Sequence, residues 1–86
     1  MPGVYIDVIE VHTRYRLLVP IKKNGNLGLE TLDFHFPDCT GLLYYNQESK
    51  TLMKISLIDE EFHPPGEVWP EGLYVPTYPK GKSKLN

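Results

Sequence analysis

The chain has 86 residues, of which 41% are hydrophobic and 23% charged, the composition of a single folded, soluble domain. A domain of this size buries only about 60% of the surface that its unfolded chain exposes, which leaves one small core and no room for a deep enzyme cleft. Cys39 is the one cysteine, which excludes an internal disulfide and suits the reducing cytosol or nucleus. We therefore expect a domain that is not an enzyme and needs no cofactor.

Charge is distributed unevenly along the chain. Residues 1–79 carry six Lys and Arg against eleven Asp and Glu, a net charge of −5, whereas Lys80, Lys82 and Lys84 make the last residues basic. We expect the folded domain to span residues 4–79 and residues 80–86 to form a basic, flexible tail that begins a linker in a longer protein. No apolar run approaches the ~18 residues of a membrane span, so no membrane association is expected.

Alternating apolar and polar side chains predict two N-terminal strands that pair as an antiparallel hairpin. The first strand, residues 4–10, turns Ile9 outward, and the second, residues 14–20, turns Leu18 outward. Pro20 closes this hairpin or marks a sheet edge. With Tyr5 or Tyr15 nearby, the two outward side chains predict an apolar patch that a partner covers.

A turn and one short helix are predicted next. Residues 22–26 combine Lys, Asn and Gly, of which Asn and Gly accept a positive φ at little cost. Apolar residues then recur at helical spacing and predict a helix over residues 29–35. Pro37 restricts the residue before it and ends that helix.

Two further strands are predicted over residues 42–46 and 52–58, joined by a polar turn. Within residues 52–58, alternation places Ile55 and Leu57 in the core. Truncation of Leu57 to alanine is accordingly expected to cost ~2–5 kcal/mol.

A rigid Pro- and Gly-rich loop precedes a last strand over residues 73–78. Trp69 in this loop is expected to act as a lid packed over the core rather than as an anchor for a partner. Pro76 lacks an N–H group, so the last strand is predicted to be at an edge or bulged. One short helix among strands predicts an α+β fold, mostly β, of the small ubiquitin-like or β-grasp kind.

Residues that suggest specific chemistry lack the required context. His35 and Cys39 are four apart, but Pro37 breaks the helical geometry that would present both to a metal ion. Glu60 and Glu61 resemble a carboxylate pair, but neighbours in a turn point apart, which favours a solvated charged turn. No metal or catalytic residue is therefore predicted.

An alternative function is weak binding of single-stranded nucleic acid by Lys22, Lys23 and the basic tail. Residues 25–28 imitate the GxxG loop of KH domains. That loop joins two helices in KH domains, whereas here it follows a predicted hairpin. An oligonucleotide affinity that falls steeply with salt would support this alternative.

Spaced Pro, Gly and aromatic residues over most of the chain resemble the N-terminal domain of the TAR DNA-binding protein family. The matching residues are Tyr5, Ile6, Thr31, Phe36, Pro37, Cys39, Gly41, Leu42, Tyr44, Asn46, His63, Pro65, Trp69, Tyr74, Val75, Tyr78, Pro79 and Lys80. The resemblance implies a ubiquitin-like or DIX-like fold that self-associates head to tail, on proteins that bind RNA through domains further along the chain. It also implies RNA processing, in the nucleus or additionally in the cytoplasm.

The resemblance implies that, in this family, glutamates of the second strand and the following loop contact arginines of a later strand. The matching positions here are Tyr15, Leu18 and Lys22 on one side and Met53 and Ser56 on the other, so the ionic pairing is absent. Ser49 and Leu29 match further interface positions. We therefore predict an interaction module that associates with itself or a related domain through apolar contacts, with the interface residues Ile9, Tyr15, Leu18, Lys22, Leu29, Ser49, Met53 and Ser56.

Overall fold

The computed structural model describes residues 4–79, so the predicted basic tail, residues 80–86, lies outside the described part of the chain. The described residues form eight strands and one helix. In chain order these are β1 Tyr5–Ile9, β2 Arg16–Pro20, β3 Leu27–Gly28, α1 Leu29–His35, β4 Gly41–Asn46, β5 Thr51–Lys54, β6 Ser56–Ile58, β7 Glu61–His63 and β8 Leu73–Thr77.

The strands form two sheets. The larger has five strands in the order β2-β1-β8-β4-β5, and the smaller has three in the order β3-β7-β6. β1 and β2 pair antiparallel, as the predicted hairpin requires, whereas β8 is parallel to β1 and antiparallel to β4. A mostly β, mixed arrangement with one short helix confirms the predicted α+β, ubiquitin-like class.

The helix α1 has the predicted bounds. It starts after Gly28, whose backbone is extended (φ −68°, ψ 136°). At the other end the N–H of Phe36 donates to the carbonyl of Leu32 at 2.8 Å, and Pro37 prevents a further turn. Leu32 and Phe36 are buried, so they anchor the inner side of the helix.

One core joins both sheets and the helix. Its members are apolar side chains from the inner face of the large sheet, from α1 and the segment that follows it, from the break between β5 and β6, and from β3 and β7 of the small sheet. They are Ile6, Val8, Val19, Leu27, Leu32, Phe36, Cys39, Leu42, Tyr44, Ile55, Phe62 and Tyr74. Because Ile6 and Val8 of β1 are both in this set, the alternation predicted for the first strand is confirmed.

The strand predicted over residues 52–58 is two strands that belong to different sheets. Ile55 is buried at the break, and its N–H donates to the carbonyl of Leu42 at 3.0 Å. After this bond the chain leaves β4, and β6 pairs with β7 instead. The prediction that Leu57 lies in the core is wrong, because β6 is the edge of the small sheet and Leu57 is 39% exposed there.

The expected edge position of the last strand is also wrong, since β8 is the middle strand of the large sheet. The carbonyl of Thr77 accepts the N–H of Thr40 at 2.8 Å, on the β4 side. Neighbouring residues in a strand direct their backbone groups to opposite sides, so the nitrogen of Pro76 faces the β1 side. Parallel pairing with β1 has ended by then, at Tyr74, and the register with β4 continues without a bulge.

Three aromatic side chains hold the loop between β7 and β8. Trp69 packs against the core, as predicted, and its indole N–H donates across to the turn that follows β2. The hydroxyls of two core tyrosines donate to the loop backbone. The three bonds are Trp69 Nε1 to Gly25 O (2.9 Å), Tyr44 OH to Glu71 O (2.8 Å) and Tyr74 OH to Pro70 O (2.6 Å).

Candidate interaction surface

Both edges of the five-stranded sheet are open in the described chain. β2 and β5 are its terminal strands, and a terminal strand presents unpaired N–H and C=O groups to which another chain can pair. Large apolar side chains are exposed at both ends. Leu18 on β2 is 62% exposed, and Leu52 and Met53 on β5 are 59% and 43% exposed.

A row of side chains connects the two edges across the outer face of the sheet. The strand registers pair Leu18 with Asp7, Asp7 with Leu73, Leu73 with Tyr45, and Tyr45 with Leu52. Directly opposed residues share one face of a sheet, and the buried residues of β1 point to the other face, towards the core. The outer face is therefore largely apolar from β2 to β5.

An ion pair interrupts the apolar surface at the β2 end. Arg16 binds Asp7 in bidentate geometry, with Nε to Oδ1 at 2.9 Å and the second nitrogen to Oδ2 at 2.7 Å. The hydrogen bond from Arg16 lowers the pKa of Asp7 and outweighs the raising effect of desolvation. Since Ile9 lies opposite Arg16, and Leu18 lies opposite Asp7, the predicted contiguous patch of Ile9 and Leu18 is divided by this pair.

Two of the predicted interface residues contact the core side. Tyr15 is 51% exposed, but its ring lies 5.7 Å from the ring of buried Phe36. Leu29 begins α1 and packs against the core. Tyr5 lies on the same face of β1 as Asp7 and so shares the outer face with Leu18, whereas Tyr15 does not.

Lys22 makes its contacts within the domain. Its ammonium group forms an ion pair with Glu61 of β7. The amide groups of Asn24 and Asn26 donate to the same carboxylate at 3.3 and 3.0 Å. The Lys22 hydrogen bond is the largest of several effects that together lower the pKa of Glu61 from 4.5 to about 2. This network joins the turn after β2 to the small sheet.

We predict that Glu61 contributes to acid unfolding. A carboxyl group with a lowered pKa in the folded state stabilises the fold above its unfolded pKa, and that stabilisation is lost as pH falls through the folded value. The loss for Glu61 lies between pH 4.5 and about 2. Urea midpoints measured across this range should fall less steeply for Glu61→Gln than for the parent. An unchanged slope would show that the network does not form in solution.

At the β5 end, the predicted residues are spread over a turn and two strands. Ser49 is exposed in the turn that precedes β5, and its hydroxyl lies 2.6 Å from that of Thr51. Met53 is exposed on β5 opposite Tyr44. Ser56 is exposed on β6 and so belongs to the small sheet. Ser49 and Met53 therefore share one edge, and Ser56 lies beyond the break at Ile55.

Sequence reasoning missed Leu52, Tyr45 and Leu73 as surface residues. The available signal was that β4 reads Leu-Leu-Tyr-Tyr, without the polar alternation of a strand with one solvated face. Apolar residues on both faces of such a strand indicate that its outer face is suited to a contact. The candidate interaction surface therefore includes the outer face of the sheet as well as its two edges.

Other chemistry is not assembled in residues 4–79. No group of three or more His, Cys, Asp and Glu side chains there is placed to hold a metal ion. Burial is the main cause that raises the pKa of the Cys39 thiol to about 11, which disfavours the reactive thiolate. No helix in this part of the chain has the length and apolar character to cross a membrane.

By fold, the described residues form a small α+β domain of the ubiquitin-like type. A family model described as the N-terminal domain of TAR DNA-binding protein 43 matches residues 5–78. The chain therefore belongs to the family of the TAR DNA-binding protein 43 N-terminal domain, which confirms the resemblance seen in its sequence. This family is a non-enzymatic domain of RNA-binding proteins, which are typically nuclear.

Proposed function

We propose that this domain joins copies of itself head to tail, with the β2 edge of one copy against the β5 edge of the next. The observation that carries the proposal is that both edges of the large sheet are open and both expose large apolar side chains. The two edges differ in sequence and lie at opposite ends of the sheet. When two copies join through unlike surfaces, one surface of each kind remains free at the ends of the pair. Further copies can therefore add at both ends and form a chain.

Apolar contacts are favoured because two cations near the β2 edge are already engaged. Arg16 is bound to Asp7, and Lys22 is bound to Glu61. Leu18 remains the large exposed side chain of β2. Opposite it in the proposed contact are Leu52 and Met53, so burial of apolar area supplies the attraction.

Family membership supports the biological setting of the proposal. The domain would assemble an RNA-binding protein in the nucleus, with RNA bound by domains outside these 86 residues. The alternative role in nucleic-acid binding is less well supported, because Lys22 is paired with Glu61 and the body of the chain is acidic. Lys23 and the basic tail would have to supply that binding.

Substitution of Leu18 by glutamate tests the proposal. Leu18→Glu should leave the fold intact, because the side chain is 62% exposed. It should raise the dissociation constant of self-association by about tenfold or more, since burial of an unpaired charge costs at least the ~1.4 kcal/mol that corresponds to tenfold. Sedimentation velocity over a concentration series measures the change. Val68→Glu, at a 72% exposed position of the β7–β8 loop, is the matched control and should associate like the parent.

Salt separates the apolar contact from an ionic one. Screening weakens exposed charge pairs, since the Debye length falls from ~10 Å at 0.1 M to ~3 Å at 1 M, whereas burial of apolar surface is not weakened. The parent should therefore remain associated in 1 M salt. Dissociation in salt, or a Leu18→Glu variant that associates as well as Val68→Glu, would refute the apolar interface.

A mixing experiment tests the head-to-tail arrangement. Leu18→Glu blocks the β2 edge, and Leu52→Glu blocks the β5 edge, so each variant alone should be monomeric. A mixture retains one intact pair of edges and should form a dimer and nothing larger. A mixture that stays monomeric would exclude pairing between these two edges.

A further inference from the structure

The outer side of α1 carries an aromatic residue that the proposed edge contact does not use. Phe34 is 79% exposed, more than Leu18 or Leu52. Its ring contacts the ring of His35, with centroids 5.0 Å apart and planes at 82°. The inner side of the same helix is covered, since Leu32 is buried in the core. The helix therefore has one unpartnered face, centred on Phe34.

Acidic residues surround this face. Glu30 precedes Phe34 by one helical turn, and Asp33 and Asp38 lie on either side of it in sequence; all three are exposed. The carboxylate of Asp33 accepts the N–H of Asp38 at 2.9 Å, which holds both acids at the C-terminal end of the helix. Residues 24–49 contain no Lys or Arg, so the nearby sequence supplies no cation to balance them.

The C-terminal segment of the chain leaves the fold beside this face. The carbonyl of Thr77 accepts the N–H of Thr40, just after the helix. Tyr78 then lines a small cavity together with His35 and Pro37. Seven residues follow Pro79, and their extended reach of roughly 25 Å exceeds the ~10 Å length of a seven-residue helix.

We propose that residues 80–86 dock onto the Phe34 face of the same chain. Three lysines in this segment match three carboxylates on the face. An ammonium group is attracted to the face of an aromatic ring, and Leu85 supplies apolar surface for the uncovered part of Phe34. The short connection to Pro79 gives this segment a high effective concentration at the helix, which favours it over a basic segment from another molecule.

The docked contact depends on ionic strength. The lysines are engaged with the domain at low ionic strength and are released as salt screens the contact. This contact does not depend on the edge-to-edge association proposed above, because α1 is not part of either edge.

Paramagnetic broadening measures the contact directly. A nitroxide is attached to Ser83→Cys; buried Cys39, whose thiol pKa is about 11, is left unlabelled at neutral pH. Amide signals of residues 33–36 and of Asp38 should lose more than half their intensity at low salt and regain it in 1 M salt. Signals of residues 47–50, at the opposite end of β4 from Gly41, serve as the internal control and should not change.

Two variants and a mixed sample decide the outcome. Asp33→Asn with Asp38→Asn should abolish the broadening, while the amide oxygen of the new side chain at position 33 still accepts the N–H of residue 38. Glu48→Gln removes one exposed acid elsewhere and should have no effect. The proposal is overturned if the double variant broadens like the parent or if no salt-dependent broadening is seen. The mixed sample is made with Leu18→Glu in both chains, so that edge-to-edge association is absent, and the proposal is equally overturned if a labelled chain then broadens residues 33–36 of an isotope-labelled one, because the contact would join different copies.

Discussion

Phe62→Ala should lower the free energy of unfolding by about 3–5 kcal/mol, the range for removal of a large, buried aromatic side chain. Phe62 is fully buried and lies between two strands, opposite Leu27 on one side and Leu57 on the other. Small domains have a total stability of about 5–15 kcal/mol, so this loss is a large share of the total. Urea denaturation followed by far-UV circular dichroism measures the loss.

Leu57→Ala is the matched control for this loss. Leu57 is the cross-strand neighbour of Phe62 but is 39% exposed, so its truncation removes less buried area and should cost less than about 2 kcal/mol. A Leu57→Ala variant as unstable as Phe62→Ala would contradict the position of β6 at the edge of the small sheet.

Gly72→Ala should destabilise the domain by about 2–4 kcal/mol, for two reasons that act together. The φ of Gly72 is +142°, a conformation that residues with a side chain rarely adopt. A Cβ atom at this position would also lie 2.9 Å from Cε1 of Tyr44. Tyr44 cannot retreat easily, because its hydroxyl is bonded to Glu71 and its ring packs on Tyr74 at 4.9 Å.

Gly66→Ala provides the comparison in the same loop. No atom lies within 4 Å of a Cβ built at Gly66, so the substitution should change stability by no more than about 0.5 kcal/mol. Thermal unfolding of the two variants side by side tests the difference. Equal melting temperatures would show that the tyrosine at position 44 is free to move.

The elements predicted best from the sequence are those defined by local chemistry. The helix α1 follows from the spacing of its apolar residues and from Pro37, both of which act within a few residues. The turn over residues 22–26 likewise depends on Gly25, which has a φ of +89°. Such features need no knowledge of distant parts of the chain.

The elements predicted worst depend on which strands become neighbours. The alternation of apolar and polar residues runs through Ile55 without interruption. Nothing in the local sequence shows that the chain stops pairing with β4 there and pairs with β7 instead. Pro76 is compatible with a central strand only because pairing with β1 stops at Tyr74. Both outcomes are set by pairing between segments far apart in sequence, which periodicity does not encode.

The candidate surface can be predicted only in part, because it too depends on strand pairing. Leu18 is predictable because its hairpin alternates clearly, and the structure exposes it. The engagement of Lys22 with Glu61 joins residues that are 39 apart in sequence, so no local pattern indicates it. The apolar row from Leu18 to Leu52 likewise requires the strand order, since its members come from five separate strands.

The central position of β8 also governs the order in which the domain can form during synthesis. The hairpin of β1 and β2 and the hairpin of β4 and β5 are joined in the large sheet through β8 alone. Ribosomes add about 5–20 residues per second, so the segments of both hairpins are synthesised about a second or more before Leu73–Thr77. Until then neither hairpin has its partner in the sheet, and because an isolated two-stranded hairpin is only marginally stable, we expect the large sheet to form only once β8 is available.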